Sequence, residues 1–257
     1  SLTIPDGGFL GIIGPSGAGK TTLLSAMNGI IPHHSKGTYY GAVTVCGRDT
    51  FEASLTDLSL VVGTVFQDIE SQLLSAVVED ELLYGLENFG VPREEIETRV
   101  RGTLEDIGIS ALRHRRISTL SGGQKQKVAL AAILALRPKI LLLDEPTAEL
   151  DPVSSRQIYS LLRKFNEQHG MTVVVVEQKI MLLGEFAREL AVLSDGRLAF
   201  HGPVRSVLAH ARELETIGVN CPRVVTLWGA MRAAGLTDGE LCLTVDEAEE
   251  TVRRAIQ

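Results

Sequence analysis

Residues Gly14 to Thr22 read GPSGAGKTT and follow directly on the apolar run FLGII, Phe9 to Ile13. Gly14, Gly19, Lys20 and Thr21 fill the fixed positions of G-x-x-x-x-G-K-[ST], a phosphate loop wherever it joins a strand to a helix. Chance alone produces the pattern in about one chain of this length in a hundred, so the context decides, and a strand before and a helix after are both expected here. The glycines let the backbone curl until several N–H groups face one concavity. The helix expected over Lys20 to Asn28 begins there, with the positive end of its dipole on the same spot. Gly14, Pro15, Ser16, Gly17, Ala18, Gly19, Lys20, Thr21 and Thr22 are thus candidates to enclose phosphate groups. Lys20 would carry a mobile cation to them, and the Thr21 hydroxyl is a hard oxygen suited to Mg²⁺.

A second apolar run, Ile140 to Leu143, lies between Pro138 and the carboxylates Asp144 and Glu145. Four apolar residues in succession suit a strand buried on both faces, as in a parallel sheet, where ligands sit beyond the carboxyl ends of the strands. Asp144 and Glu145 emerge at such an end. Successive residues point in different directions, so Asp144 is assigned to Mg²⁺ through water and Glu145 to the attacking water as general base. Read alone, Asp-Glu is also a solvated strand end; the phosphate loop upstream favours the chemical reading.

Between these elements stand VFQD, with Gln67 after the apolar stretch Val61 to Phe66, and LSGGQ at residues 120 to 124. Ser121, Gly122, Gly123 and Gln124 open an apolar helix expected over Gln126 to Leu136, and SGG by itself reads first as a capped, flexible helix entry. Its free N–H groups make a second anion-facing helix start. With all four elements in one order, the chain resembles the ATP-binding-cassette ATPases, the nucleotide-binding subunits of transporters, over nearly its whole length. The resemblance implies an α/β phosphate-loop NTPase fold with an inserted helical subdomain, ATP and Mg²⁺ as cofactors, and a second ATPase subunit, identical or not, paired head to tail. Ser121 and Gly123, with Gly122 and Gln124 beside them, would then meet the γ-phosphate held by the opposing subunit.

The same resemblance makes Gln67 the glutamine that reaches the metal and the lytic water and links them to a membrane partner, although a glutamine after a strand is ordinarily a surface residue. AELD at 148 to 151 matches the loop that crosses the dimer interface. Asp151 before Pro152 is also an N-cap signal for a helix over Val153 to Gln168, and both roles can hold together. One position departs from the family: after the strand Thr172 to Val176 the usual histidine is replaced by Gln178. An amide still donates a hydrogen bond to a phosphate oxygen, but it neither becomes a cation nor passes a proton. An adenine-stacking aromatic residue, which the resemblance places ahead of the phosphate strand, falls upstream of Ser1.

The expected organisation is ATP-binding core over 1–68, helical signature subdomain over 69–138, core again over 139–210, and a C-terminal helical extension over 211–257. Strand alternation is expected over Gly41 to Val45, helices over Val78 to Asn88 and Arg93 to Ile107, and a hairpin through Asp195-Gly196 from Glu189–Ser194 into Arg197–His201. A net charge of −7 argues against a nucleic-acid binder that depends on a broad basic surface. Cys46, Cys221 and Cys242 are scattered without metal spacing and read as reduced thiols of a cytoplasmic chain. No apolar run approaches the roughly 20 residues of a membrane span, and no signal peptide is visible. Membrane association is therefore expected through a transmembrane scaffold protein, at the inner face of the membrane.

Within the family, the stretch from Glu70 to Ile96, the IPHH at Ile31 to His34 and the tail from Ile217 to Leu236 resemble the ATPases of energy-coupling-factor importers of vitamins and metal ions. By that resemblance Glu79, Asp80 and Glu81 form an acidic lip for scaffold arginines, or else merely an acidic helix start that suits the helix dipole. The tail would stabilise a dimer or simply cap the domain. Two further functions stay open: a cassette protein working outside transport, and a weakly hydrolysing subunit that contributes one competent site to a heterodimer.

Overall fold

The computed structural model describes residues 1–35 and 38–256. In chain order the elements are β1 (Phe9–Ile13), α1 (Lys20–Met27), α2 (Ile30–His33), β2 (Thr44–Val45), β3 (Arg48–Asp49), α3 (Leu55–Ser59), β4 (Val62–Val65), α4 (Ile69–Gln72), α5 (Val78–Asn88) and α6 (Arg93–Ile107). There follow two 3₁₀ turns, then α7 (Gly122–Leu134), β5 (Ile140–Asp144), α8 (Pro152–His169), β6 (Thr172–Val176), α9 (Ile180–Phe186), β7 (Glu189–Ser194), β8 (Arg197–Pro203), α10 (Val204–Leu208), α11 (Ala211–Thr216), α12 (Arg223–Ala233) and α13 (Val245–Ile256). The fold is mixed α/β with parallel strand pairs, as a phosphate-loop NTPase requires. It divides into two compact units, Ser1–Lys20 with Val176–Gln257, and Thr21–Val175. Two elements, α1 and β6, run across the boundary.

In the first unit β1 pairs in parallel with β7, with Ile13 opposite Val192, and β7 turns back through Asp195 and Gly196 to pair antiparallel with β8. All five residues of β1 are buried, which explains its uninterrupted apolar sequence. Beyond β8, Val224, Val225, Trp228 and Met231 of α12 are buried, as are Leu241 and Cys242 in the segment before α13. Arg205 of α10 ties this tail down, donating to Glu247 at 2.7 Å and to the Leu241 carbonyl.

In the second unit β4 pairs in parallel with β5, Val65 opposite Leu143, and β6 flanks β5 on its other side. Leu141, Leu142 and Leu143 are buried, as are Leu82, Leu86, Leu104, Leu130 and Leu134 of the helices α5, α6 and α7. The bounds of α5 and α6 are those expected. The strand expected over Gly41 to Val45 shrinks to Thr44–Val45, because Gly41 takes φ 88° and breaks extended backbone. Those two residues instead form a tight hairpin with β3 through Cys46 and Gly47, both at positive φ. Helix α7 begins four residues earlier than its apolar run and stops at Leu134, where Arg137 at φ 56° and Pro138 end the segment.

Candidate functional site

The phosphate loop lies between β1 and α1 in the first unit. Gly14 has φ 152°, and a Cβ there would stand 2.2 Å from the carbonyl oxygen of Leu193, so β7 backbone approaches where no other residue fits. Lys20, the first residue of α1, is only 8% exposed, and its Nζ donates to the carbonyls of Gly14 and Pro15, each at 2.9 Å. Among the described residues that ammonium has no carboxylate partner. A buried cation balanced by two neutral oxygens at a helix start, where the first N–H groups lack intrahelical partners, is an environment completed by an anion. Phosphate fits it. Ser16 and Gly17 at the tip are exposed.

The same unit carries Gln178, exposed just beyond β6. Beside it Glu177 is 2% exposed, and its Oε1 accepts from the N–H groups of Gln178 at 3.0 Å and Lys179 at 3.2 Å. The Glu177 N–H bonds in turn to the carbonyl of Ile12 in β1. Glu177 thus fixes the backbone that presents Gln178. In the sequence only its place, an acid directly after the buried strand Thr172–Val176, hints at this role.

In the second unit Thr21 and Thr22 continue the first turn of α1 with exposed side chains. Asp144 ends β5 and is 6% exposed, while Glu145 is half-buried with φ 48°, a left-handed backbone unusual for a glutamate. That turn redirects the chain directly after Asp144, so the two carboxylates separate. The Nε2 of Gln67 donates to Glu145 Oε2 at 3.2 Å, across 78 residues of sequence. The β4–β5 register explains the meeting: continued two residues past Val65 and Leu143, it sets Gln67 level with Glu145. Hard oxygens of Thr21, Gln67 and Asp144 are a donor set suited to Mg²⁺.

The LSGGQ segment forms a reciprocal cap. Ser121 Oγ accepts from the Gln124 N–H at 3.4 Å, and the Ser121 N–H donates to Gln124 Oε1 at 3.0 Å, closing a capping box that holds Gly122 and Gly123 in the first turn of α7. The S-x-x-Q spacing had this reading in it; Gln124 is first of all a cap. Asp151 caps α8, accepting from Val153 at 2.9 Å and Ser154 at 3.0 Å, and the Ser154 hydroxyl donation together with those N–H groups holds its carboxyl below the usual range. Gly123 faces Ser154, so the starts of α7 and α8 lie side by side.

The acidic lip changes character. Glu79 is engaged by Arg113 at 2.6 Å and His114 at 2.9 Å, and Arg113 also grips Glu97 at 2.7 Å. Glu81 is 6% exposed and accepts from the backbone of Leu74 at 3.0 Å and Ser75 at 2.7 Å. Of the three carboxylates only Asp80 is exposed. Two members of the supposed docking triad therefore hold the subunit itself together.

An α/β chain with a buried lysine at a glycine loop is a phosphate-loop NTPase. Comparison with known proteins narrows this: residues 1–148 match the profile of the ABC transporter family. The chain belongs to that family, as an ATP-binding subunit carrying the family's ATPase domain. A protein of Pyrococcus horikoshii named as an ABC transporter ATP-binding protein is 38% identical over 255 residues, 99% of this chain and 89% of the relative. A similarly named protein of Pyrococcus abyssi is 40% identical over 237 residues, 92% of this chain and 85% of that one. Longer relatives also match; one from Methanosarcina mazei is 36% identical over 226 residues, of which this chain spans 39%. Among solved structures, cbiO1 of Clostridium perfringens, part of the ABC transporter complex cbiONQ, superposes with a TM-score of 0.75 at 31% identity, over 89% of this chain and 90% of that one. The ATP-binding cassette MJ0796, a dimer in a post-hydrolysis state bound to ADP and Pi, gives a TM-score of 0.68 at 30% identity, covering 79% and 88%. Among the described residues no helix is long and apolar enough to cross a membrane.

Proposed function

We propose that this chain binds and hydrolyses ATP to drive an importer of the energy-coupling-factor type, taking up a vitamin or a metal ion. The observation that carries ATP binding is the buried Lys20 ammonium, held by the Gly14 and Pro15 carbonyls at the phosphate loop. The importer class draws its support from the likeness to cbiO1. Residues Gly14 to Thr22 bind the phosphates. Thr21, Gln67 and Asp144 would hold Mg²⁺, which would supply charge neutralisation to the phosphates. Glu145 takes a proton from the water that attacks the γ-phosphorus, Gln67 orients both, and the bond to the ADP oxygen breaks as phosphate forms. Ser121, Gly122, Gly123, Gln124 and Asp151 serve the nucleotide of a second subunit, and segment 69–138 acts as the helical subdomain inserted between core segments 1–68 and 139–210, with 211–257 as a C-terminal extension. A transmembrane scaffold protein anchors the pair on the inner face of the membrane. Solubilised native membranes should yield this chain together with a hydrophobic partner; recovery free of any membrane protein would favour a cassette working outside transport.

A second reading is favoured by Gln178, the exposed amide where the family has histidine: a weakly hydrolysing subunit in a heterodimer. Losing one preorganised donor costs about 10² to 10³ in turnover, and glutamine retains part of that interaction. Gln178→His should then raise kcat with little change in ATP affinity, because the gain belongs to the transition state. Equal or lower turnover in the physiological dimer would mean that Gln178 does not limit catalysis.

A further inference from the structure

Helix α4, Ile69–Gln72, follows Gln67 by two residues and is a single turn, far too short to persist on its own. Three side chains hold it. Asp68 caps it through the Ser71 N–H at 3.2 Å, Glu70 pairs with Lys125 in the first turns of α7, and Gln72 reaches back to β4. The last contact is two-pronged: Gln72 Nε2 donates to the Thr64 carbonyl at 2.9 Å, and Gln72 Oε1 accepts from the Phe66 N–H at 3.1 Å. In an extended strand the carbonyl of one residue and the N–H two residues on point to the same side. Strand β4 is bonded to β5 on one side and is an edge strand on the other. The Gln72 amide therefore substitutes for one peptide of a missing neighbouring strand, at the last two rungs before Gln67. Behind it, the buried Glu81 fixes Leu74 and Ser75, the residues that leave α4.

We infer that Gln72 is a positioning residue for ATP hydrolysis: its amide locks the peptide units on both sides of Val65, so that Gln67 emerges level with Glu145 and its Nε2 reaches the carboxylate. The inference rests on the roles proposed above for Gln67 and Glu145. The contact needs one donor and one acceptor at a fixed span. Alanine supplies neither, and an ionised glutamate supplies no donor and turns negative charge on the Thr64 carbonyl. Protonated glutamic acid supplies both again.

The test is steady-state ATPase kinetics on the full chain with Gln72→Ala, Gln67→Ala, the double variant and Gln72→Glu. Gln72→Ala should lower kcat by about tenfold to a hundredfold, the range for a misplaced catalytic group, while KM for ATP stays unchanged. In the Gln67→Ala background the same change should have no further effect, since Gln72 acts only through Gln67. For Gln72→Glu, kcat relative to the parent should recover as pH falls toward the carboxylate range, about 4 to 5, because the neutral acid restores the two bonds. That pH signature keeps the question decidable if Gln72→Ala fails to fold. Loss of kcat in the double variant equal to the product of the single losses, or a Gln72→Glu deficit flat with pH, overturns the positioning role while leaving Gln67 in place. Full turnover by Gln67→Ala would instead remove the underlying site assignment, and this inference with it.

Discussion

Replacing Lys20 by alanine should separate nucleotide binding from folding. Without ligand, the change deletes two charge-assisted hydrogen bonds to the Gly14 and Pro15 carbonyls, worth about 1.5–3 kcal/mol each. It also removes an ammonium, 8% exposed, whose desolvation costs several kcal/mol. The two effects oppose each other, so the melting temperature without ATP should move little. With ATP the balance differs, because truncating one partner of a buried charge pair costs about 2–5 kcal/mol. At about 2.7 kcal/mol the loss is a hundredfold in Kd. ATP at a hundred times the parent Kd stabilises the parent by about 2.7 kcal/mol, and the same concentration stabilises the variant by only about 0.4 kcal/mol. For a domain of this size that is an ATP-induced shift of about 5–11 °C in the parent against about 1–2 °C in the variant. Thermal unfolding with and without ATP, and titration with a fluorescent ATP analogue, measure both quantities. A variant that melts like the parent without ligand and still shows the full ATP-induced shift would refute the assignment of Lys20 as the phosphate-binding cation.

Glu145→Gln should keep ATP but lose about 10² to 10⁴ in turnover, since the amide cannot accept the water's proton; gel filtration with ATP should then show an accumulating dimer, and monomers with bound ATP would count against the head-to-tail pairing. A pH effect is expected in the tail. Burial raises the Glu247 carboxyl, but the Arg205 hydrogen bond and the Leu243 N–H outweigh it and hold the folded group below its ordinary 4.5. A carboxyl depressed in this way stabilises the fold above that ordinary value and ceases to do so as pH falls through the lower folded one. The effect is modest because the pair is partly solvated. Trp228, the single tryptophan, donates from Nε1 to the Gly239 carbonyl at 3.2 Å and is the natural reporter. Acid titration of its emission should show loosening of the tail in that window, and Arg205→Ala should shift the transition toward pH 4.5; identical curves would deny the Arg205 clamp.

Local pattern was sufficient for much of this protein. Four apolar residues before Asp144 specify a buried strand, Gly14 and Gly19 specify a tight turn at positive φ between strand and helix, and the Gly90-Val91-Pro92 break separates α5 from α6. Each of these properties is set within a few residues along the chain, where sequence and backbone conformation are directly linked. Pairings between distant residues are not. That Gln67 meets Glu145 follows from the register of β4 on β5, and that Glu79 and Glu81 serve Arg113 and the Leu74–Ser75 backbone follows from where α5 packs. The left-handed turn at Glu145 is imposed by what surrounds it, since nothing in the residue type favours it. A carboxylate or an amide looks the same in sequence whether it faces water, a ligand or its own backbone. Burial and hydrogen-bond partners decide among those uses, and they exist only once the chain has closed on itself.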